Sequence, residues 1–376
     1  MTRKDLPSPC YVVSEAKIEK NCRILRDVME RTGCKILLAQ KAFSLYALYP
    51  LIGKYLVGAA SSGLYEARLA REHFPGESHV FSAAFRPDDF PEILSYSDKI
   101  IFNSVTQLKE YAPVARNAGV SVGLRLNPEH STQEGSGIYD PCAPGSRLGV
   151  TSDRFDPSCL SFLEGLHFHT LCEQDAAPLV ETVEVFVEKF GKFLGELKWV
   201  NFGGGHHITR EGYDIEALET CIVQIQEKFG VEVYLEPGEA IAFHAGWLDT
   251  TVLDIVHNGG VDIAILDASA ACHMPDVIEM PYRPPLSDSG LPNERAHTYR
   301  LAGMTCLAGD VIGDYSFDSP LRIGDCLSFE DMAIYTMVKN NTFNGMPLPA
   351  IAIEGADGQC RVIKTFGYAD FKMRLS

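Results

Sequence analysis

Ile-Leu-Leu-Ala-Gln-Lys, residues 36–41, is the first strongly apolar run of the chain, and it ends on a charge. Such a run reads as a strand of parallel type, buried on both faces, whose carboxyl end delivers Lys41 into the protein interior. A lysine placed there loses hydration, so its ammonium is disfavoured and its amine becomes available for a Schiff base. Lysines after strands are common, and Lys41 needs company from the rest of the chain.

Seven further apolar runs follow, at residues 55–58, 79–81, 100–103, 122–126, 165–169, 199–202 and 233–236. The intervening segments include residues 64–73, 104–118, 177–195 and 214–229, where apolar side chains recur at three-and-four spacing as on amphipathic helices. Eight strands alternating with helices predict parallel βαβ units closed into a (β/α)8 barrel, placed over residues 10–245. Beyond about residue 245 the rhythm changes. Residues 249–256, 261–267, 298–304, 326–329, 333–337 and 351–353 are strand-like and separated by Gly- and Pro-rich turns, which predicts a mostly-β domain over residues 246–376, with residues 1–9 free to join it. Residues 281–292, rich in Pro and Ser, read as an exposed excursion. No internal repeat or low-complexity tract is present.

With 376 residues, 46% of them apolar, the chain can bury a large core and suggests two domains. Its start, Met-Thr-Arg-Lys-Asp-Leu-Pro-Ser-Pro, lacks the apolar run of a signal peptide, and no stretch approaches the roughly 20 apolar residues that span a bilayer. A soluble, cytoplasmic protein is expected. The eleven cysteines contain no Cys-x-x-Cys pair and read as reduced thiols, with no zinc framework and no metal set. A formal charge of −17 argues against nucleic acid or an anionic membrane as partner. It suits a cationic ligand, and it suits an ordinary acidic protein equally well.

Enzymes on barrels of this type carry their chemistry at the carboxyl ends of the strands, and several reactive residues fall there. Lys41 follows the first strand, Arg125 ends the fifth and His169 the sixth. Gly203, Gly204 and Gly205 follow the seventh, and Glu236-Pro237-Gly238-Glu239 follows the eighth. Glycines after the last two strands expose backbone N–H groups at the usual phosphate corner. A lysine amine, a phosphate nest and a carboxylate able to keep a pyridine nitrogen protonated together point to pyridoxal 5'-phosphate. Taken singly, the glycines also suit a plain turn, Glu236 a loop and His169 a buried core position.

Specific segments carry a resemblance across nearly the whole chain. They are Ala-Gln-Lys-Ala-Phe (39–43), Ser-Arg-Leu-Gly (146–149), Gly-Leu-His-Phe-His-Thr-Leu-Cys-Glu (165–173), Trp-Val-Asn-Phe-Gly-Gly-Gly-His-His-Ile (199–208), Tyr-Leu-Glu-Pro-Gly-Glu-Ala (234–240), Cys-His-Met-Pro-Asp (272–276), Thr-Cys-Leu-Ala-Gly-Asp (305–310) and Tyr-Thr-Met-Val-Lys-Asn-Asn-Thr-Phe-Asn-Gly (335–345). In these the chain resembles the fold type III pyridoxal-phosphate decarboxylases, the group of ornithine, arginine and diaminopimelate decarboxylases. That resemblance implies an alanine racemase-like barrel with a C-terminal β domain. By position Lys41 resembles the Schiff-base lysine, His169 the histidine stacked on the cofactor ring, and Gly203 to Gly205 the phosphate cradle. Glu236 resembles the partner of the pyridine nitrogen, and Tyr335 the tyrosine that reaches the phosphate; Arg125 and Gly238 complete the expected cofactor set. Cys306 and Asp310 resemble residues that the family supplies from a second subunit, which implies a homodimer with shared active sites.

Two departures bear on the substrate. Ornithine and diaminopimelate decarboxylases have an arginine where this chain has Glu239, and ornithine decarboxylase has an acid where this chain has Leu307. An arginine suits a carboxylate or phosphate, whereas a glutamate suits an amine. Asp276 lies where the family's substrate-selecting helix presents its acid. The resemblance therefore implies decarboxylation of a long polyamine-like amino acid, carboxynorspermidine or carboxyspermidine, with Glu239, Asp276 and Asp310 at the substrate and Cys306 as proton donor. Diaminopimelate, arginine and ornithine stay open as substrates, and Glu239 stays open as a rim ion-pair residue.

Overall fold

The computed structural model describes residues 1–133 and 137–376 and separates into two compact units. One is Glu19–Ile241, and the other joins Met1–Ile18 to Ala242–Ser376. Strand β1 (Cys10–Ser14), buried along its whole length, belongs to the second unit, so the barrel does not begin at residue 10 as the sequence suggests.

The Glu19–Ile241 unit is a closed barrel of eight parallel strands: β2 (Lys35–Ala39), β3 (Gly58–Ser61), β4 (Glu77–Phe81), β5 (Lys99–Phe102), β6 (Ser121–Arg125), β7 (Gly165–His167), β8 (Trp199–Asn201) and β9 (Glu232–Leu235). It closes where Lys35 of β2 pairs with Tyr234 of β9. The helix Ala176–Leu194 buries Leu179, Val183, Phe186, Phe190 and Leu194, the three-and-four spacing that puts one apolar stripe on the strands. Helix Ile215–Phe229 starts where the Asp214 carboxylate accepts the Ala217 N–H and stops at Gly230, whose φ of 68° suits a residue without Cβ.

Leu37, Ile101, Trp199 and Tyr234 pack together inside the barrel. The Trp199 indole fits only because β6 and β7 each place a glycine beside it: a Cβ at Gly123 or Gly165 would lie 2.3 or 2.0 Å from the indole ring. Its N–H donates to Ser121 Oγ at 3.0 Å. The third strand falls at Gly58–Ser61 instead of residues 55–58. A Cβ on Gly58 would sit 2.0 Å from the Glu77 carbonyl oxygen, so the close approach of β4 selects small residues over the apolar run that precedes them.

The second unit is built on a mixed sheet. Its strands are β10 (Gly246–Asn258), β11 (Val261–Leu266), β12 (His297–Ala302), β13 (Val311–Phe317), β14 (Cys326–Glu330), β15 (Ala350–Glu354) and β16 (Cys360–Lys364), in the order β13-β12-β11-β10-β1-β15-β16 with β14 also on β10. β1 runs antiparallel to β10 and parallel to β15, with Val12 opposite Trp247 on one side and Ala352 on the other. Tyr11, Leu248, Leu301, Tyr315 and Phe329 lie in its core. Residues 333–337, strand-like in sequence, are not a strand. Tyr335 has φ 50° and ψ −45°, and the Thr336 N–H donates to the Ile334 carbonyl, a γ-turn of the rare strained hand that leads into the short helix Thr336–Lys339.

Candidate active site

Within the barrel unit, Lys41, Arg125, His169, Gly203, Gly204, Gly205, Glu236, Gly238 and Glu239 all lie at or just past the carboxyl ends of β2, β6, β7, β8 and β9. Lys41 Nζ is 3.2 Å from His169 Nε2, and His169 Nδ1 accepts the Gly204 N–H at 2.8 Å. An imidazole nitrogen that accepts carries no proton, so the His169 proton sits on Nε2 and points at Lys41, whose amine must then accept it. Burial holds His169 well below its ordinary range, and the Arg125 charge acts in the same direction. Burial, then the Arg125 guanidinium, likewise lowers the Lys41 ammonium. The Lys41 side chain is, however, solvent-exposed and not enclosed in the interior as the sequence suggests, and the hydrogen-bond order at His169 is what points to a neutral amine. Arg125, itself buried, donates to the His169 carbonyl at 2.7 Å and lies over the Phe81 ring.

Glu236 behaves in the opposite sense. Burial alone would raise its carboxyl, but His167, His79 and the Asn201 amide outweigh it and hold the group at about 2. The Asn201 contact is a direct hydrogen bond of 2.7 Å to Oε1, while His167 Nε2 stands 3.5 Å from Oε2, within Coulomb reach but short of a hydrogen bond. The firm hydrogen bond on Glu236 is thus the one from the Asn201 amide. Glu236 is then a largely buried carboxylate within Coulomb reach of Lys41.

The three glycines after β8 admit no side chain. A Cβ on Gly203 would meet His169 Nδ1 at 2.5 Å, on Gly204 the Glu236 carbonyl at 2.1 Å, and on Gly205 the Leu171 carbonyl at 1.9 Å. The Gly203 N–H donates to Asn201 Oδ1 and the Gly204 N–H to His169, so two of the three amides orient the side chains around them. Gly238 lets its loop pass Ala42, next to Lys41. On the rim, His207 Nε2 and Glu239 Oε2 are 2.5 Å apart. A lysine amine, an ionised carboxylate, a stacking-size histidine and a side-chain-free backbone loop fit a pyridoxal cofactor.

The sheet unit carries the remaining predicted residues. Cys306 is exposed, and its N–H donates to Asn344 Oδ1 at 2.7 Å. Asp310 is only 3% exposed, and its carboxylate accepts from Ser269, Ala271 and Thr305, so its partners here are groups of the chain itself. Asp276 is bonded by the Lys339 ammonium, which also holds Glu279 at 2.6 Å. Tyr335 stands at the γ-turn.

His167, Asn201, His207, Ser269 and Lys339 are partners that the sequence does not announce. The first two could be found from period-two alternation, since Asn201 follows inward-facing Trp199 by two residues and His167 precedes His169 by two.

Residues 10–333 match the family described as pyridoxal-dependent decarboxylase, C-terminal sheet domain. The chain belongs to the pyridoxal-dependent decarboxylases. It is 43% identical over 385 residues, covering 100% of both chains, to the carboxynorspermidine/carboxyspermidine decarboxylase of Campylobacter jejuni. It is 41% identical to the carboxyaminopropylagmatine decarboxylase of a Synechocystis species, over 98% of this chain and 96% of that one. The crystal structure of the Campylobacter jejuni carboxynorspermidine decarboxylase complexed with norspermidine superposes with a TM-score of 0.91 at 42% identity, over 98% of this chain and 100% of the other. The barrel and mixed sheet are thus those of the alanine racemase-like decarboxylases. Among the described residues no helix is long and apolar enough to cross a membrane.

Proposed function

We propose that this protein is a pyridoxal 5'-phosphate-dependent carboxy-lyase of polyamine biosynthesis that converts carboxynorspermidine or carboxyspermidine into norspermidine or spermidine and CO2. The observation that carries the reading is the chain Gly204 N–H to His169 to Lys41, which makes the lysine a neutral amine within Coulomb reach of the largely buried carboxylate of Glu236. The relatives of the same length that act on carboxylated polyamines support the substrate class.

Pyridoxal phosphate, when bound, supplies an aldehyde for an amine and a pyridinium ring that takes up the electron pair released with CO2. Lys41 would hold the cofactor through its amine and would serve as a base. Glu236 would keep a proton on the ring nitrogen, since a carboxylate held low stays ionised and attracts it. His169, fixed at both ring nitrogens, would hold the cofactor ring against a flat neighbour. Cys306 donates the proton that replaces the lost carboxylate at the α-carbon. In this proposal the protein works as a homodimer in the cytoplasm, with Cys306 reaching the barrel mouth of the partner protomer.

Glu239 and Asp276 read the substrate amines. Each already has a nitrogen partner in the protein, His207 and Lys339, so a substrate ammonium either joins the pair or displaces it. CO2 release measured side by side on carboxynorspermidine, carboxyspermidine, carboxyaminopropylagmatine, diaminopimelate, ornithine and arginine tests the assignment. The first two differ by one methylene, worth about 1–3 kcal/mol in discrimination, and both should turn over. A kcat/KM for diaminopimelate, ornithine or arginine above that for both carboxylated polyamines overturns the reading.

A further inference from the structure

The sheet unit ties three separate segments together around one carboxylate. Ser269 Oγ donates to both oxygens of Asp310, the Ala271 N–H donates to Oδ1 at 3.2 Å, and the Thr305 N–H and hydroxyl both donate to Oδ2, five contacts on a side chain with almost no solvent exposure. Gly303 makes room for it, because a Cβ there would lie 2.3 Å from Oδ2. The same loop closes on its own backbone, with the Gly303 N–H on the Asp310 carbonyl and the Asp310 N–H on the Leu307 carbonyl, both at 2.9 Å. Cys306 sits at its crest, next to Thr305. Its N–H is held by Asn344, and the Asn341 amide in turn donates to the Ala271 carbonyl at 2.8 Å. Segments 269–272, 303–310 and 341–344 therefore form a closed ring of hydrogen bonds, and the thiol is exposed while Asp310 and Ser269, at the centre of the ring, are buried.

We infer that Asp310 is the positioning residue of the Cys306 loop, fixing where the thiol stands relative to the segment that begins at Ser269, and that it acts through Cys306 without contacting substrate. A buried carboxylate suits this task because each donor that reaches it loses its own bond with water, so the loop cannot shift without leaving an anion unsatisfied. Asp310 needs no substrate ammonium as a hydrogen-bond donor, since two hydroxyls and two backbone amides already donate to it.

The inference rests on the reading of Cys306 as proton donor, and the test separates the two. In the holoenzyme, Asp310→Asn should lower kcat about 10- to 100-fold, the range expected when a reacting group is misplaced by about 1 Å. Bound cofactor should stay unchanged, and the rate at which iodoacetamide alkylates Cys306, followed by peptide mapping, should change several-fold. In a Cys306→Ala background the same substitution should have no further effect on kcat. Ser269→Ala and Thr305→Val, which each remove donors and leave the carboxylate in place, should give smaller changes of the same kind and serve if Asp310→Asn does not fold. Equal loss from Asp310→Asn with and without Cys306, or alkylation unchanged in all three variants, overturns the inference. Native kcat in Cys306→Ala would instead remove Cys306 from the chemistry, whatever Asp310 does.

Discussion

Asn201 donates its side-chain N–H to Glu236 at 2.7 Å and accepts the Gly203 N–H on its oxygen at 2.8 Å, so a single amide joins the largely buried carboxylate to the glycine loop. Both bonds fix which way the amide faces. Asn201→Asp would set a second carboxylate against Glu236, and two such groups cannot both stay ionised at contact distance. Weaker pyridoxal phosphate binding by about 10- to 100-fold is expected, the cost of about 1–3 kcal/mol for a lost hydrogen bond to a charged group. Titration of the apoprotein followed by cofactor absorbance checks this, and unchanged affinity would detach Asn201 from the site.

Gly165→Ala should be strongly destabilising, because its Cβ would lie 2.0 Å from the Trp199 ring inside a closed barrel. Overpacking of this kind costs about 1–3 kcal/mol, occasionally more. Trp199→Leu in the same chain should recover part of that loss. Urea unfolding of the two single variants and the double variant gives the coupling, and strictly additive effects would mean that the strain is relieved elsewhere.

His206 predicts an acid sensitivity whose sign can be worked out. Burial pushes its imidazole down to about 3. Between that value and the ordinary 6.5 the unfolded chain binds a proton that the folded chain refuses, so stability falls as pH drops through this window and is insensitive to His206 above it. His206→Gln should flatten the slope of unfolding free energy against pH by up to one proton, about 1.4 kcal/mol per pH unit, between pH 4 and 6. Parallel slopes for the two proteins would show that His206 titrates normally.

Glu239→Gln keeps the shape of the His207 contact and removes the charge. Loss of one member of a shielded ion pair costs about 2–5 kcal/mol, so kcat/KM for carboxyspermidine should fall by roughly 30- to several-thousand-fold, with bound cofactor unchanged. A loss under about threefold would leave Glu239 as a rim partner of His207 alone.

The barrel is legible in sequence because seven of its strands are short apolar runs between helical patterns. β3 is displaced there because Gly58, Ala59 and Ala60 are chosen for closeness to β4 and carry little hydrophobic signal. Strand β1 looks like any buried strand, and nothing in its five residues says that its neighbours are Gly246–Asn258 and Ala350–Glu354. The stretch around Tyr335 misleads because alternating apolar residues imply a strand, while the backbone reverses at the tyrosine itself. In the candidate site, residues that follow strand ends can be read from position: Lys41, His169 and Glu236 are of this kind. Pairings that need two loops, His207 with Glu239 or Lys339 with Asp276, have no fixed spacing in sequence and appear only in three dimensions.

The pairing of β1 also sets a timetable. Val12 lies beside Ala352, about 340 residues later in the chain. At roughly 5–20 residues per second of synthesis, the first strand made waits on the order of tens of seconds for its parallel neighbour, long after every strand of the barrel has been made. Strand β1 thus cannot complete its pairing until Ala350–Glu354 has been made, and a ribosome stalled at residue 345 would hold a chain with all eight barrel strands and an open edge at Cys10–Ser14.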